Sequence, residues 1–327
     1  MSTQDRYKIL VVIPVEEHHK SLLKDSAGDS DIEFITLSEL TKEQVHDADI
    51  IIGNISPDLI KGSEKLKWLQ LNTAGTDGYV SDGVLPENTL LTNATGAYGL
   101  AISEHMIGSL LCIMKKLHLY AADQTEHIWD DHGNVTSIYG SDTLVVGFGD
   151  IGSEFAIRMN ALGSRVTGIR RTKTEKPEYL KALYRMDALY ECLADADIVA
   201  ACLPGTNETY HVFDKEAFSK MKKGAYFLNV GRGSAVDSYA LADALNSGHL
   251  AGAAIDVTEP EPLPKDHPLW DADNLLITPH ISGNDHLKET HERIIKIAAD
   301  NLNRFMEGRE LRNIVDFTTG YRKLQNV

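Results

Sequence analysis

The stretch Thr143-Leu-Val-Val-Gly-Phe-Gly-Asp-Ile-Gly152 decides the fold of this chain, because it joins a hydrophobic strand to a glycine-rich turn. Apolar residues then recur at helical spacing as far as Gly163, and Val166–Ile169 reads as a second strand. A strand, a GxGxxG turn and a helix in this order predict a dinucleotide-binding unit. A glycine-rich loop without a ligand is the alternative interpretation.

Each glycine of the turn has a physical reason to be there. Gly147 permits the tight turn, Gly149 lets backbone N–H groups approach a pyrophosphate, and Gly152 lets the helix pack closely on the strand. The partial positive charge of the helix N-terminus faces the phosphates. We therefore expect the backbone N–H groups of Asp150 and Ile151 to bind the pyrophosphate.

The end of the second strand bears on the choice of cofactor. NAD-preferring proteins usually carry an acid there, whereas this chain has Arg170, Arg171 and Thr172. A guanidinium binds a 2′-phosphate with two hydrogen bonds. If each charged contact contributes about 1.5–3 kcal/mol, one or two of them favour NADPH by tens-fold or more. The sequence predicts that NADP(H) is preferred and NAD(H) possible; a solvated basic loop is the alternative.

Composition excludes several classes of function. The 327 residues, 43% of them hydrophobic, are enough for the cores of two domains, and the net charge of −16 argues against nucleic-acid binding. We find no run of about 18 apolar residues and no apolar leader, so we expect a cytoplasmic protein without a membrane segment. The three cysteines lack CxxC spacing and are interpreted as reduced core residues, and we predict no metal site.

Strand-like and helix-like segments alternate along the chain, which predicts an α/β fold with doubly wound parallel sheets. A long helix is predicted from Ala101 to Leu119 as a bridge between two units, and an amphipathic helix over about Lys288–Met306. The predicted strands outside the glycine-rich unit are Tyr7–Ile13, Ile32–Leu37, Asp49–Ile52, Leu66–Leu71, Ile198–Leu203, Ala225–Val230, Gly252–Asp256 and Leu275–Thr278.

Six motifs stand in a fixed order along the chain: Asn72-Thr-Ala-Gly75, Glu104-His105, Gly147-Phe-Gly-Asp-Ile-Gly152, Asn229-Val-Gly-Arg-Gly233, Asp256-Val-Thr-Glu-Pro-Glu-Pro262 and Thr278-Pro-His-Ile-Ser-Gly283. Together they resemble one family, the D-isomer-specific 2-hydroxyacid dehydrogenases, over nearly the whole chain. The resemblance implies two Rossmann-like or flavodoxin-like domains. Residues 1–100 and 288–327 would form the substrate-binding domain, and residues 101–287 the NAD(P)-binding domain.

The same resemblance implies an activity and an assembly. Family members are usually homodimers, with the region of the bridging helix at the interface. The loop from Asp256 to Pro264 is similar to that of glyoxylate and hydroxypyruvate reductases. We therefore predict an NADP-dependent reductase of small 2-keto acids such as glyoxylate, hydroxypyruvate or a pyruvate-like substrate.

The residue types independently suit this chemistry. Reducing a 2-keto acid needs a cation for the carboxylate, a proton donor for the ketone oxygen and a hydride source. Arg232 suits the first role because a guanidinium grips a carboxylate with two bonds, and His280 suits the second. Glu261 is the carboxylate that would orient this imidazole and keep it protonated. A surface arginine in a turn and a structural histidine are the alternatives.

The loop also contains a second acid, Glu259. We choose Glu261 because it occupies the position that matches the family's catalytic Glu-Pro pair, and we expect Glu259 to be a solvated neighbour. Both acids could instead be exposed loop residues.

The resemblance implies further contacts. Asp256 matches the residue that holds the nicotinamide carboxamide, and Gly75 matches a turn whose N–H groups receive the substrate carboxylate. Asn54 and Tyr98 would shape the side-chain pocket or support the core or a turn, and His105 is interpreted as structural. The remaining cofactor candidates are Leu203, Pro204, Thr209, Val230, Gly231, Arg232, His280 and Gly283, and the substrate candidates also include Ala74, Thr76, Arg232 and His280.

Two rival functions share this fold. A formate dehydrogenase would carry glutamine where Glu261 stands and would need an N-terminal extension. A nicotinamide-dinucleotide-sensing regulatory protein would bind the cofactor without turnover, but the family's co-repressors carry tails that this sequence lacks.

Overall fold

The computed structural model describes residues 6–76, 78–172, 175–284 and 286–323. Two compact units divide these residues. One unit combines the residues up to Tyr98 with those after Asn284, and the other is Gly99–Asn284. Within the described ranges, none of the helices has the length and apolar character needed to cross a membrane.

The first unit is built on a five-stranded parallel sheet. Its strands are β1 (Lys8–Val11), β2 (Asp31–Phe34), β3 (Ile50–Ile52), β4 (Trp68–Gln70) and β5 (Leu90–Thr92), and its first helices are α1 (Glu17–Ala27), α2 (Lys42–Asp47) and α3 (Pro57–Ile60). The spatial order β2-β1-β3-β4-β5 is the flavodoxin-like order. The three isoleucines of β3 are all buried, as expected for a central strand covered on both faces.

The second unit contains a seven-stranded parallel sheet. Its strands are β6 (Asp142–Val146), β7 (Arg165–Ile169), β8 (Ala182–Tyr184), β9 (Ile198–Ala201), β10 (Tyr226–Asn229), β11 (Gly252–Ile255) and β12 (Leu275–Ile277), and its helices are α4 (Gly99–Met114), α5 (Leu117–Glu126), α6 (Asp150–Ala161), α7 (Leu189–Asp195), α8 (Lys215–Lys220) and α9 (Ser238–Asn246). The order β12-β11-β10-β9-β6-β7-β8 is the Rossmann order. The predicted α/β fold with two doubly wound sheets is confirmed.

The chain returns to the first unit at its end. It forms α10 (Lys288–Met306), β13 (Val315–Asp316) and β14 (Tyr321–Arg322). Helix α10 packs against α1 and has the predicted bounds. Asn301 of this helix is fully buried and donates hydrogen bonds to the side chain of Gln70 and to the carbonyl of Arg312. These bonds tie α10 to the sheet.

The prediction of one long helix from Ala101 to Leu119 was wrong. Helix α4 ends at Met114, and Lys116 adopts a left-handed backbone with φ +59° before α5 begins at Leu117. The side chains of Lys115 and Lys116 donate hydrogen bonds to carbonyls of the loop after α5. These contacts accompany the break, which apolar spacing does not reveal.

The cysteines Cys112, Cys192 and Cys202 are free and partly buried. Cys192 packs against the hydrophobic core of the second unit.

Candidate active site

The carboxyl edge of the seven-stranded sheet collects most of the predicted site residues. They follow β6, β7, β9, β10, β11 and β12, whose carboxyl ends all meet at this edge because the strands are parallel. Strands β6 and β9 are neighbours although they are not consecutive in the chain, so the strand order reverses between them. Ligands of open α/β sheets bind at such a switch point.

The three glycines of the turn after β6 differ in their surroundings. A Cβ atom at Gly147, where φ is +98°, would overlap the carbonyl of Cys202, and one at Gly152 would overlap the carbonyl of Gly147. A Cβ atom at Gly149 would meet nothing within 4 Å. Packing therefore requires the first and third glycines, while the open space at Gly149 leaves room for a phosphate group.

Helix α6 begins directly after this turn. At its start, the backbone N–H of Ser153 donates a hydrogen bond to the carbonyl of Gly149. The N–H groups of Ile151 and Gly152 donate to no atom in the ranges that the structure describes. Such N–H groups at a helix N-terminus bind anions, so the turn fits the pyrophosphate of a dinucleotide.

The basic residues predicted to choose the cofactor follow β7. The backbone N–H of Arg170 donates to the carbonyl of Tyr184 at 3.1 Å, which fixes the start of this segment beside β8. Arg170 and Thr172 are half-buried and Arg171 is exposed. Their contact with a 2′-phosphate stays a prediction.

The loop after β9 closes on itself. The hydroxyl of Thr209 donates to the carbonyl of Pro204 at 2.5 Å and accepts the N–H of Thr206 at 2.9 Å. A Cβ atom at Gly231, after β10, would overlap the backbone of Leu203. The two loops that were predicted to line the cofactor therefore pack directly against each other.

Arg232 lies in a turn that the buried side chain of Asn229 holds together. The Oδ1 atom of Asn229 accepts the N–H of Gly231, and its Nδ2 donates to the carbonyl of Arg232, each at 3.1 Å. The half-buried Arg232 side chain donates from Nη1 to the carbonyl of Gly231 at 3.0 Å and passes close to Gly205. The position of this guanidinium is thus fixed by its own turn.

The structure brings His280 and Glu261 together. The Nδ1 atom of His280 lies 2.9 Å from Oε2 of Glu261, and Oε1 of Glu261 accepts the N–H of Thr258 at 2.9 Å. The side chains are 49% and 38% exposed. Because Glu261 occupies Nδ1, Nε2 is the atom of the ring that can deliver a proton to a ligand.

The turn of Arg232 also touches the loop of Glu261. A Cβ atom at Gly233 would overlap the carbonyl of Thr258, so the two backbones are in close contact there. Since Thr258 also binds Glu261, which binds His280, the three predicted catalytic residues belong to one connected arrangement.

Asp256 anchors the segment that carries His280. It is 2% exposed, and its carboxylate accepts four hydrogen bonds, from the hydroxyls of Thr278 and Ser282 and the N–H groups of Ile281 and Ser282. A carboxylate offers about four acceptor sites, so these bonds use its capacity. The contact of Asp256 with a nicotinamide carboxamide stays a prediction.

Three residues of this region were not predicted to belong to the site. Thr278 and Ser282 bind Asp256, and His211 lies with Nε2 at 3.6 Å from Oε2 of Glu259. Glu259 is 44% exposed, yet it has this histidine beside it. In the sequence, the only indication of such roles was that the hydroxyl residues Thr278 and Ser282 stand on either side of His280. Gly283, a predicted cofactor contact, packs near Ile102, and Val230 is buried after β10.

In the first unit, Asn54 and Tyr98 support the turn that begins at Asn72. The backbone N–H of Asn54 donates to Oδ1 of Asn72 at 2.6 Å, and the N–H of Asn72 donates to Oδ1 of Asn54 at 2.9 Å. The hydroxyl of Tyr98 donates to the carbonyl of Asn72. Asn54 and Tyr98 were expected either to shape the substrate pocket or to support the core or a turn. The hydrogen bonds observed here support a turn.

The same turn has backbone N–H groups that could receive a ligand. The carbonyls of Thr73, Ala74 and Gly75 all accept hydrogen bonds within the unit. The N–H groups of Ala74, Gly75 and Thr76 donate to none of the residues described. Backbone N–H groups are strong donors that require a partner when they are buried.

One cluster in the first unit has the composition of a metal site. The Nε2 atoms of His18 and His19 both lie 3.1 Å from Oε1 of Glu292. However, Nδ1 of His19 accepts the N–H of Glu16, so the neutral ring carries its proton on Nε2. A metal ligand needs that nitrogen unprotonated. The cluster therefore reads as a hydrogen-bonded link between α1 and α10.

Comparisons with known proteins agree with these features. A family model described as D-isomer specific 2-hydroxyacid dehydrogenase, NAD binding domain, matches residues 107–282, more than half of the chain. Glyoxylate/hydroxypyruvate reductase B of Enterobacter sp. (strain 638) is 32% identical over 266 residues, which cover 79% of this chain and 80% of the relative.

Solved structures resemble nearly the whole chain. A D-isomer specific 2-hydroxyacid dehydrogenase family protein from Aeromonas salmonicida subsp. salmonicida A449 has 32% identity and a TM-score of 0.83, over 96% of this chain and 100% of that one. A D-isomer specific 2-hydroxyacid dehydrogenase from Xanthobacter autotrophicus Py2, solved with NADPH and MES, has 26% identity and a TM-score of 0.79, over 97% and 100%. The chain therefore belongs to the D-isomer specific 2-hydroxyacid dehydrogenase family, which acts on small 2-hydroxy or 2-keto acids, and is an NAD(P)-dependent oxidoreductase.

Proposed function

We propose that the protein is an NADP-dependent D-2-hydroxyacid dehydrogenase that reduces small 2-keto acids such as glyoxylate and hydroxypyruvate. The observation that carries the proposal is the 2.9 Å contact between His280 and Glu261, beside the loop that touches the turn of Arg232. The Enterobacter relative, named as a glyoxylate/hydroxypyruvate reductase, supports the substrate class.

The residues divide the chemistry as follows. Arg232 holds the carboxylate of the keto acid and polarises its ketone, since a guanidinium binds planar oxygen pairs. His280 gives its Nε2 proton to the ketone oxygen, and Glu261 stabilises the imidazolium through Nδ1. A bound reduced nicotinamide supplies the hydride that reaches C2 of the acid. The product is the 2-hydroxy acid, with the oxygen protonated and C2 reduced.

The preference for NADP rests on Arg170, Arg171 and Thr172. All three follow β7, the strand beside the glycine-rich turn, and no carboxylate stands at this position of the sequence. A guanidinium here favours a 2′-phosphate. The Xanthobacter structure contains NADPH, which supports this cofactor at the level of the family.

The roles of the two units are also part of the proposal. The unit from Gly99 to Asn284 would bind the cofactor, and the other unit would be the substrate-binding unit. Its turn would receive an anionic group through the N–H groups of Ala74, Gly75 and Thr76, which find no partner among the described residues.

We propose a homodimer on the strength of one exposed region. Helix α5 buries none of its residues, and Trp129 in the following loop is fully exposed. Leu117, Ile128, Val135 and Tyr139 in the same part of the chain are also exposed. Large apolar side chains gathered in one segment are typical of protein interfaces. Light scattering should give about twice the chain mass for the protein and a lower value for Trp129→Asp.

The experiment that tests the activity is a panel of 2-keto acids with NADPH as the reductant. We expect NADPH oxidation with glyoxylate or hydroxypyruvate in the wild-type protein and its loss in His280→Ala. NADPH binding without turnover on any acid of the panel would contradict the proposal. That result would favour the dinucleotide-sensing alternative.

A further inference from the structure

We propose that Thr278 and His105 are positioning residues for His280, and that they act through the carboxylate of Asp256. This inference rests on the proposed function, in which His280 is the proton donor. Among the described residues, the side chains of Thr278 and His105 make no hydrogen bond to His280. Their effect would come from a chain of hydrogen bonds that ends at the backbone of residues 280–282.

Donor and acceptor chemistry fixes the direction of each hydrogen bond in this series. The hydroxyl of Thr278 lies 2.5 Å from Oδ1 of Asp256, and an ionised carboxylate can only accept, so Thr278 donates its proton there. The Nε2 atom of His105 lies 3.1 Å from the same hydroxyl, whose only proton is already committed. His105 therefore carries a proton on Nε2 and donates it to Thr278.

At the other end of this series of hydrogen bonds, Asp256 holds the backbone around His280. The carboxylate of Asp256 accepts the N–H of Ile281 on Oδ1 and the N–H and hydroxyl of Ser282 on Oδ2. The carbonyl of Asp256 accepts the N–H of His280 at 2.8 Å. Asp256 thus binds three successive residues, the first of which is the proposed proton donor.

The backbone of His280 needs such support. Its φ is +52°, in the left-handed region that side chains other than glycine enter only at a cost. This conformation directs the imidazole, whose Nδ1 then lies 2.9 Å from Glu261. If the bonds to Asp256 weaken, the backbone can relax and the ring loses its alignment with Glu261.

Burial makes the hydroxyl of Thr278 important to Asp256. The carboxylate is 2% exposed, so water cannot replace a lost donor at little cost. Without the hydroxyl, Oδ1 keeps only the N–H of Ile281 among these donors. His105 keeps the Thr278 hydroxyl in this orientation, because its Nε2–H donates a hydrogen bond to the hydroxyl oxygen.

Helix α4 supplies His105 and packs against β11 and β12, the strands that precede Asp256 and Thr278. A cavity of about 10 Å³ lies beside His105, Thr278, Asp256 and Ser109. This volume is about the minimum that holds one water molecule. A valine at position 278 keeps the shape of threonine, so it removes the hydroxyl without enlarging this space.

The test compares Thr278→Val with Thr278→Ser in the full-length protein. We expect Thr278→Val to lower kcat about tenfold or more, because a small misplacement of a reacting group has effects of that size. Thr278→Ser should recover most of kcat, because it restores the hydroxyl. A wild-type kcat in a folded Thr278→Val protein would overturn the role of Thr278.

A second pair of variants covers the possibility that Thr278→Val does not fold. His105→Gln places an amide N–H where Nε2 stands, whereas His105→Leu removes the donor. We expect His105→Leu to lose kcat and His105→Gln to retain most of it. Equal kcat in the two folded variants would remove His105 from the chain of hydrogen bonds.

A measurement without turnover separates this inference from the proposed activity. The ring ¹⁵N signals of His280, assigned by comparison with His280→Gln, report the bond from Nδ1 to Glu261. They should differ from wild type in Thr278→Val and match it in Thr278→Ser. Unchanged signals would refute the positioning role even if no substrate were found, and failure of wild-type turnover with changed signals would refute only the activity.

Discussion

The Oε2 atom of Glu261 lies 2.9 Å from Nδ1 of His280, while the other carboxylate oxygen is held by the backbone N–H of Thr258. Both carboxylate oxygens of Glu261 are therefore held by hydrogen bonds, and Glu261 in turn orients the imidazole of His280. An imidazole held in this way presents Nε2 in one direction, which is what a proton donor requires.

The first prediction concerns His280 itself. His280→Ala should lower kcat for keto-acid reduction by about 10²- to 10⁴-fold, the range of general acid catalysis. NADPH binding, measured by fluorescence titration, should stay nearly unchanged because the glycine-rich turn and α6 are not altered. Exposed His127 gives the control variant His127→Asn, which should keep wild-type kcat because asparagine tolerates the left-handed backbone at this position. An unchanged kcat in His280→Ala would remove the histidine from the acid role.

Glu261→Gln tests the charge that supports the ring. The amide can still accept a hydrogen bond from Nδ1, but it no longer stabilises the charged imidazolium. We expect kcat for keto-acid reduction to fall about tenfold or more, because the ring loses the charged partner that orients it. Steady-state kinetics of the two proteins with the same keto acid provide the measurement. An unchanged kcat in a folded Glu261→Gln protein would show that the carboxylate has no such role.

We expect activity to require both the positive charge of Arg232 and the planar shape of its guanidinium. Arg232→Ala should reduce kcat/KM for the keto acid by about 10²-fold or more, as the loss of a charged clamp does. Arg232→Lys keeps the charge but cannot make two parallel bonds, so it should recover only part of the loss. Exposed Arg309 gives the control variant Arg309→Ala. Wild-type efficiency in Arg232→Ala would overturn the assignment.

The preference between NADPH and NADH can be tested with a double variant. Replacing Arg170 and Arg171 together by alanine should lower kcat/KM for NADPH by about tenfold or more and leave the value for NADH nearly unchanged, because only NADPH carries the 2′-phosphate. The ratio of the two efficiencies is the quantity to measure. A ratio that is the same in the wild-type and variant proteins would show that these arginines form only a solvated basic loop.

The sequence was most informative where the backbone itself demands a residue type. The turn from Gly147 to Gly152 could be predicted because a side chain at its first or third glycine would overlap a carbonyl. The amphipathic pattern of α10 likewise gave its bounds, since one face of this helix is buried.

Other elements left little trace in the sequence. Strands β5 and β8 were not predicted. Both lie at an edge of their sheet and are partly exposed, so neither shows the continuous apolar pattern of a central strand. The bond between Thr278 and Asp256 joins residues 22 positions apart. Side-chain bonds over such separations have no periodicity, so this part of the candidate site required the structure.

His267 is expected to make the protein sensitive to acid. It is 6% exposed, and its Nδ1 accepts the N–H of Leu269 at the start of the short 3-10 turn Pro268–Asp271. Burial lowers the pKa of His267 below its usual 6.5, against a smaller opposing effect of Asp266. Because the pKa is lower in the folded than in the unfolded state, this residue contributes its full stability above about pH 6.5. That contribution is lost as the pH falls below this value toward the folded-state pKa.

His267→Asn separates this effect from the other groups that titrate in acid. The amide oxygen of asparagine can accept the same N–H of Leu269 but cannot be protonated in this range. Between about pH 7.5 and pH 5, Tm should therefore fall less in His267→Asn than in the wild-type protein. The exposed His127 provides the control, since His127→Asn should follow the wild-type curve. If the Tm of His267→Asn falls in parallel with the wild type, protonation of His267 does not drive the loss of stability.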